Sequence, residues 1–214
     1  MKDSSDKIKK VENYIDFLSK CISSGMGNIS TNEKNLNYEQ DREKIEYQYF
    51  ILAGDHHYFI SRVLFFNAIG EYAFFCGQQC IENYLKAYLK FLNHSFKDTH
   101  DLNNLLSQCR KADARNEFIN SERANTIITR FQPFYELARY PVQKSSKPRE
   151  GRYAFLFPDD MGPLDYFIYQ MRKAMPYPRN MFDLLKEGAP QSIIEIAEND
   201  NFSKIFKRDN INFN

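Results

Sequence analysis

Residues 70–105 read GEYAFFCGQQCIENYLKAYLKFLNHSFKDTHDLNNL, and this stretch predicts two consecutive helices. Along the first helix, apolar residues recur at helical spacing: Phe74, Ile81, Leu85, Tyr88 and Leu92. Another face of the same helix is polar and carries Gln79, Glu82, Lys86 and Lys90. Glu82 and Lys86 stand in the favourable order for an i,i+4 ion pair on an exposed helix. Turn-forming residues follow, and Thr99 or Asp101 can cap the second helix.

Helical periodicity also extends over most of the remaining chain. It predicts helices over about residues 4–23, 38–68, 116–140, 160–174 and 192–206. Gly54 and Pro133 are expected to kink the helices that contain them, because proline removes a backbone hydrogen bond. A short apolar run at 153–158 is either strand-like or a buried connection. The turn rhythm of an all-β protein is missing, and so are internal repeats.

These observations predict an all-α fold, an up-and-down helical bundle of four to five helices with extra N- and C-terminal helices. The expected segments are an N-terminal helix and linker over 1–37, the bundle over 38–176, and a C-terminal helical tail over 177–214. The N-terminal helix has a short apolar seam, which suits docking on the bundle better than pairing with a second copy.

Composition narrows the function classes. The chain has 214 residues, 19 Phe, 14 Tyr and no Trp, which suffices for a core built from aromatic and aliphatic side chains. A net charge of +1 does not indicate attraction of the whole molecule to nucleic acid or to membranes. The four cysteines lack zinc-ligand spacing and favour small buried hydrophobes in a reducing compartment. We expect a cytoplasmic protein without a membrane span, metal or cofactor.

Four short motifs carry a resemblance to a known family. They are Gln78-Gln79-Cys80-Ile81-Glu82, Leu85-Lys86-Ala87, Thr99-His100-Asp101-Leu102 followed by Leu105-Leu106, and Ala138-Arg139-Tyr140-Pro141. Their order and spacing resemble those of the HEPN domain, a helical domain whose name stands for "higher eukaryotes and prokaryotes nucleotide-binding". The resemblance covers roughly residues 42–175 and leaves both ends of the chain unexplained.

The resemblance implies binding of nucleotide or RNA, and in catalytic members a metal-independent ribonuclease. Those members use an Arg separated by four to six residues from a His, where the His transfers protons and the Arg steadies phosphate charge. None of the four histidines here follows an Arg at that distance. The positions after Arg139 at which such a His would stand hold Lys144, Ser145 and Ser146. The chain also lacks the common phosphate-loop, zinc-protease and serine-hydrolase motifs. We therefore expect binding rather than turnover.

The candidate binding residues are Gln79, Glu82, Lys86, Arg139, Tyr140, Lys144, Lys147 and Arg149. The row on the central helix lines either a polar cleft or dimer seam, or a satisfied surface. Arg139 either contacts phosphate with the basic loop behind it, or only meets the dipole at a helix end. His100 is either a residue that holds the start of a helix or, together with Arg139, the catalytic pair of an endoribonuclease.

The resemblance also implies partners. It suggests a homodimer and, in some cases, a small nucleotidyltransferase alongside the protein in a toxin–antitoxin or defence pair. A further alternative is a pure protein–protein interaction module without nucleotide affinity, in which the terminal helices recruit the partner.

Overall fold

The computed structural model describes residues 38–137, 161–176 and 210–213, and of residues 38–45, 137 and 213 only the backbone. Its helices are α1 (Tyr38–Phe66), α2 (Gly70–Phe91), α3 (Leu102–Ala112), α4 (Glu122–Phe131), α5 (Phe134–Leu137) and α6 (Met161–Ala174), followed by a 3₁₀ turn at Ile211–Phe213. The described part contains no strand. The all-α bundle predicted from the sequence is confirmed.

The chain divides into two compact units, Met1–Asp41 and Arg42–Asn214, and the packing described here lies within the second. No described helix combines the length and the apolar character needed to cross a membrane. The predicted N-terminal helix, the apolar run at 153–158 and the tail helix lie outside the described residues.

Helix α2 is the centre of the bundle because it is buried on almost every side. Its predicted apolar stripe lies in the core, with Ile81 and Leu85 at 0% exposure. Helix α1 packs antiparallel to it, since Glu46 pairs with Lys90 near one end and Ser61 bonds to Ala73 near the other. Helix α6 is in turn antiparallel to α1.

Gly54 was expected to kink α1, but the helix runs without interruption from Tyr38 to Phe66. A Cβ atom at Gly54 would lie 2.8 Å from Cδ2 of Tyr84, which is closer than carbon atoms pack. The glycine therefore allows the close approach of α1 to α2.

The loop after α2 doubles back along that helix. Asn93 ends the helix with φ of 57°, a left-handed conformation that asparagine tolerates, and His94 N–H donates to the Leu89 carbonyl at 2.8 Å. The chain then returns so that His100 lies beside Glu82. Helix α3 starts there and runs in the same direction as α2, with Cys109 contacting the Leu85 carbonyl.

The predicted helix over 116–140 is wrong in its bounds. The structure starts α4 only at Glu122, where Ser121 caps it by accepting from the Ala124 N–H at 3.2 Å. The helix ends at Phe131, and Pro133 separates it from the four-residue helix α5. The break agrees with the lost hydrogen bond and ring clash of an internal proline.

A candidate functional site around His100

Five polar side chains meet where the returning loop touches α2. Four of them project from α2, namely Gln78, Gln79, Glu82 and Lys86, and His100 lies two residues before the start of α3. We name this group the Glu82 cluster. Gln78 and Gln79 stand four and three residues before Glu82, and Lys86 stands four residues after it, so each of them is a neighbour of Glu82 on the helix surface. The structure thereby brings Gln79, Glu82, Lys86 and His100 of the predicted site together.

Glu82 is the common partner in the cluster. Its carboxylate accepts from Lys86 Nζ at 3.0 Å and from the side-chain amides of Gln78 and Gln79, each at 3.3 Å. The Glu82 side chain is only 5% exposed, so these bonds replace the water that a carboxylate otherwise requires. Gln78 also donates to the His100 carbonyl at 3.2 Å, which ties the loop to the helix.

His100 is held in a defined orientation. Its Nδ1 lies 3.0 and 3.2 Å from the two carboxylate oxygens of Glu82. An ionised carboxylate can only accept, so we assign the hydrogen to Nδ1. The second ring nitrogen, Nε2, is not bonded to Glu82. The His100 side chain is 49% exposed. Its ring stacks on Tyr135, with centroids 4.4 Å apart and planes 16° from parallel.

The start of α3 fixes the position of His100. Asp101, one of the two caps that the sequence offered, caps the helix by accepting from the Asn103 and Asn104 N–H groups. The Leu102 N–H donates to the Gln132 side chain at 2.6 Å. The junction between α4 and α5 is thus attached to the same helix start, and this attachment brings Tyr135 over the imidazole.

The central members of the polar face of α2 are buried. Glu82 is 4% exposed and Lys86 is 7% exposed. Lys86 Nζ also lies 3.3 Å from Asp98. Its ammonium therefore bridges the carboxylates of Glu82 and Asp98 and attaches the loop after α2 to that helix. Lys90 lies further along the helix, where it pairs with Glu46 outside the cluster.

A second histidine lies near the cluster. Burial lowers the pKa of His57 from 6.5, His56 lowers this pKa further, and the charge of Glu82 opposes the change. The Nδ1 atom of His57 is buried without a hydrogen-bond partner among the described residues. The neighbouring His56 is exposed and His57 is half-buried.

Several predicted site residues fall elsewhere. Arg139, Tyr140, Lys144, Lys147 and Arg149 lie outside the described residues. Sequence reasoning did not include Tyr135 among the candidate binding residues. The available signal was its position four residues before Arg139, the spacing at which two helical side chains share a face.

The three described cysteines show no sign of reactivity. Cys76, Cys80 and Cys109 are free and buried, and burial raises the pKa of Cys76 to about 11 and that of Cys109 to about 12. Thiols with such values stay protonated and are poor nucleophiles. Cys21 lies outside the described residues. In the part of the chain that the structure describes, no three His, Cys, Asp or Glu side chains form a group that could hold a metal ion.

The comparisons with known proteins give one match. A family model described as HEPN domain matches residues 48–157, just over half of the 214-residue chain. This range contains the Glu82 cluster, Tyr135 and all the predicted binding residues. Neither a curated protein nor a solved structure matches the chain.

Proposed function

The chain belongs to the HEPN domain family, and on that premise we propose that it binds RNA or a nucleotide at the surface around His100 without cleaving it. Family membership supports a nucleotide- or RNA-related function at the level of the family. The observation that carries the proposal is the oriented, half-exposed imidazole of His100, which Glu82 holds from behind and Tyr135 supports from the side.

This geometry suits an unstacked base. Proteins that bind single-stranded RNA stack bases on aromatic side chains, histidine included, and read base edges with polar atoms. The stacked pair of His100 and Tyr135 supplies flat aromatic surface, and the Nε2 atom supplies one polar contact. The buried members of the Glu82 cluster hold this surface in place, which lowers the entropy lost on binding.

Phosphate contacts are assigned to the basic segment that follows Tyr135 in the sequence. Arg139, Lys144, Lys147 and Arg149 supply positive charge, and Tyr140 supplies a further ring. Arginine forms paired hydrogen bonds with phosphate oxygens, and lysine adds charge. Under the proposal, these side chains bind the backbone of the same RNA whose base stacks at His100.

The test is the affinity of the full chain for a fluorescein-labelled single-stranded RNA, measured by fluorescence anisotropy. In His100→Gln the amide can still bond to Glu82, but the ring is lost. We expect about tenfold weaker binding, since a base stacked on an aromatic side chain contributes about 1–3 kcal/mol. His94→Gln is the matched control, because His94 is an exposed histidine of the same loop. Arg139→Ala should weaken binding with unchanged helical content.

Equal losses of RNA affinity in the His94 and His100 variants would show that the binding site does not include His100. If no labelled RNA or nucleotide binds to the unaltered protein, the alternative of a pure interaction module takes its place. That alternative predicts that a partner is lost when residues 1–37 or 181–214 are deleted.

A second candidate function, an endoribonuclease, is favoured by the pair of Glu82 and His100. A carboxylate on one ring nitrogen of a half-exposed histidine is the arrangement of a general base. Arg139 is the proposed partner for the phosphate charge. RNA cleavage that persists in EDTA and is lost in His100→Gln would support this candidate, and absence of cleavage at high protein concentration would reject it.

For partners, we propose a homodimer and, as the finer hypothesis, a small nucleotidyltransferase in a toxin–antitoxin or defence pair. Native mass spectrometry of gently purified, untagged protein tests both. A mass of two chains supports the dimer, and an additional chain of nucleotidyltransferase size supports the pair. A single chain without ligand contradicts both.

A further inference from the structure

The surface that α1 presents to solvent over residues 47–66 carries no charged side chain. At the 27% charged content of the whole chain, these 20 residues would hold about five charged side chains. They hold two, Asp55 and Arg62, and both are buried, at 0% and 1% exposure. Each of the two is paired with α6, Asp55 with Arg172 and Arg62 with Asp165. The charges of this segment are therefore used inside the bundle, and its outer face is neutral.

A row of apolar and aromatic side chains lies along this neutral face. Tyr49 is 63% exposed and Ile60 is 48% exposed, and His56 between them is also exposed. Together with the half-buried Ala53 and Val63 they stand at successive spacings of four, three, four and three residues. This spacing aligns side chains in one stripe along a helix and is the spacing found where two helices pair. We name these five residues the α1 stripe.

Other described helices expose charged side chains. Lys111 of α3, Arg123 of α4 and Lys173 of α6 are all exposed, as is usual for the solvated face of an amphipathic helix. Protein interfaces, in contrast, are depleted in charged residues and enriched in aromatic ones, and a contiguous apolar patch on a surface marks an interaction site. The α1 stripe has the composition of an interface.

The absence of charge also indicates which partner fits the stripe. A two-fold axis brings the same surface patch of two identical chains together, so a charged side chain near the axis would face a like charge. The α1 stripe does not carry this cost, because its exposed side chains are uncharged. Its helical spacing allows the side chains of two α1 helices to interlock.

We propose that the α1 stripe pairs with the α1 stripe of a second copy of this chain. The proposal rests on the homodimer of the preceding section and assigns a surface to it. It does not depend on RNA binding at His100. His56 is the middle residue of the stripe, so a two-fold axis that pairs the whole stripe passes close to His56.

The test changes the charge at His56 in the full chain. His56→Glu and His56→Lys each place two like charges near the axis, and we expect both to weaken dimerisation by about tenfold or more. An equimolar mixture of the two variants brings opposite charges together and should recover a mixed dimer. His56→Gln leaves the stripe uncharged and should dimerise like the unaltered protein. Ser107→Glu, an exposed substitution on α3, is the control for added charge.

Sedimentation velocity over a series of protein concentrations measures the affinity of each variant for itself. Native mass spectrometry of the mixture, with the Lys variant labelled with ¹⁵N, identifies the mixed dimer by its mass. Circular dichroism of each variant checks that helical content is unchanged. Recovery in the mixture separates pairing of two stripes from docking of an unrelated partner, because only the former brings residue 56 of one copy close to residue 56 of the other.

If the charged variants dimerise as well as the unaltered protein, the dimer uses another surface, and only the assignment to α1 is overturned. If the unaltered protein stays monomeric at all concentrations, the homodimer is overturned as well, while RNA binding at His100 is unaffected. If both charged variants lose the dimer and their mixture does not recover it, the two stripes do not face each other. A lower melting temperature of the charged variants without any change of mass would show that another segment of the same chain covers the stripe.

Discussion

Buried polar side chains in this bundle occur with partners. Glu82 has Lys86, His100 and two glutamine amides, and Arg62 has Asp165 at 2.6 Å. His57 departs from this pattern, because its buried Nδ1 atom has no partner among the described residues. At the scale of single residues, His57 is therefore the side chain from which we expect the clearest response to pH.

The pKa of His57 in the folded protein is below the ordinary value of 6.5. As the pH falls below 6.5, His57 binds a proton in the unfolded chain but not yet in the folded chain. This histidine therefore lowers the free energy of unfolding in acid. We predict that the fall in melting temperature from about pH 7.5 to about pH 5.5 is smaller in His57→Gln than in the unaltered protein. Thermal unfolding followed by circular dichroism at both pH values measures it.

His94→Gln is the control for that comparison, since His94 is exposed on a loop. Only the pH slopes are compared, so a constant loss of packing in the His57 variant does not matter. Equal slopes in the unaltered protein and in His57→Gln would show that His57 does not carry the effect.

At the scale of helices, the bundle depends on how closely α2 and α4 approach. Gly77 of α2 faces Phe131 of α4, and a Cβ atom there would lie 2.9 Å from Phe131 Cδ1 and closer still to Cε1. The Phe131 side chain is 1% exposed and also packs against Phe74, with ring centroids 5.3 Å apart. The ring therefore has little room to yield.

Gly77→Ala should lower the free energy of unfolding by about 1–3 kcal/mol through overpacking, although alanine is the better helix former. Gly162→Ala is the matched control, because no atom lies within 4 Å of its added Cβ. We expect the control to change stability by no more than about 0.5 kcal/mol. Urea unfolding at constant m-value measures both, and equal midpoints would contradict the predicted helix contact.

At the scale of the whole molecule, α6 is joined to the rest by buried ion pairs. Asp165 accepts from both Arg62 and Tyr58, and Asp55 pairs with Arg172. Asn212 donates to the Asp165 carbonyl at 3.1 Å, which connects the 3₁₀ turn to the same helix. Segments distant in sequence are thus joined by ion pairs. The charged side chains of these pairs each expose less than about a fifth of their surface to solvent.

Asp165→Asn should destabilise the protein by about 3–5 kcal/mol, because it leaves the Arg62 charge buried without its carboxylate. Replacing both partners, as in Arg62→Met with Asp165→Leu, should restore much of that loss. Glu46→Gln provides the control at the partly exposed pair with Lys90 and should cost less than about 1 kcal/mol. Chemical unfolding measures all three variants, and equal costs for the two single substitutions would contradict the role assigned to burial.

Local signals in the sequence determined the helices and the family. The spacing of Phe74, Ile81 and Leu85 marks the core face of α2, and the sequence limited the cap of α3 to Thr99 or Asp101, because both features depend only on neighbours in the chain. Pro133 indicated a disturbance of the helix, but the sequence did not show that the helix ends before it. Apolar residues recur at helical spacing on both sides of Pro133, so periodicity predicted one continuous helix. The four family motifs were also readable in the sequence, and the family match contains them.

Tertiary structure alone decided which polar residues are buried and which of them meet. Nothing in the local pattern distinguishes Glu82 and Lys86 from an exposed ion pair; the loop that returns over them makes the difference. The stacking of His100 on Tyr135 also joins residues far apart in sequence. Burial and desolvation depend on these long-range contacts, which helical periodicity does not encode.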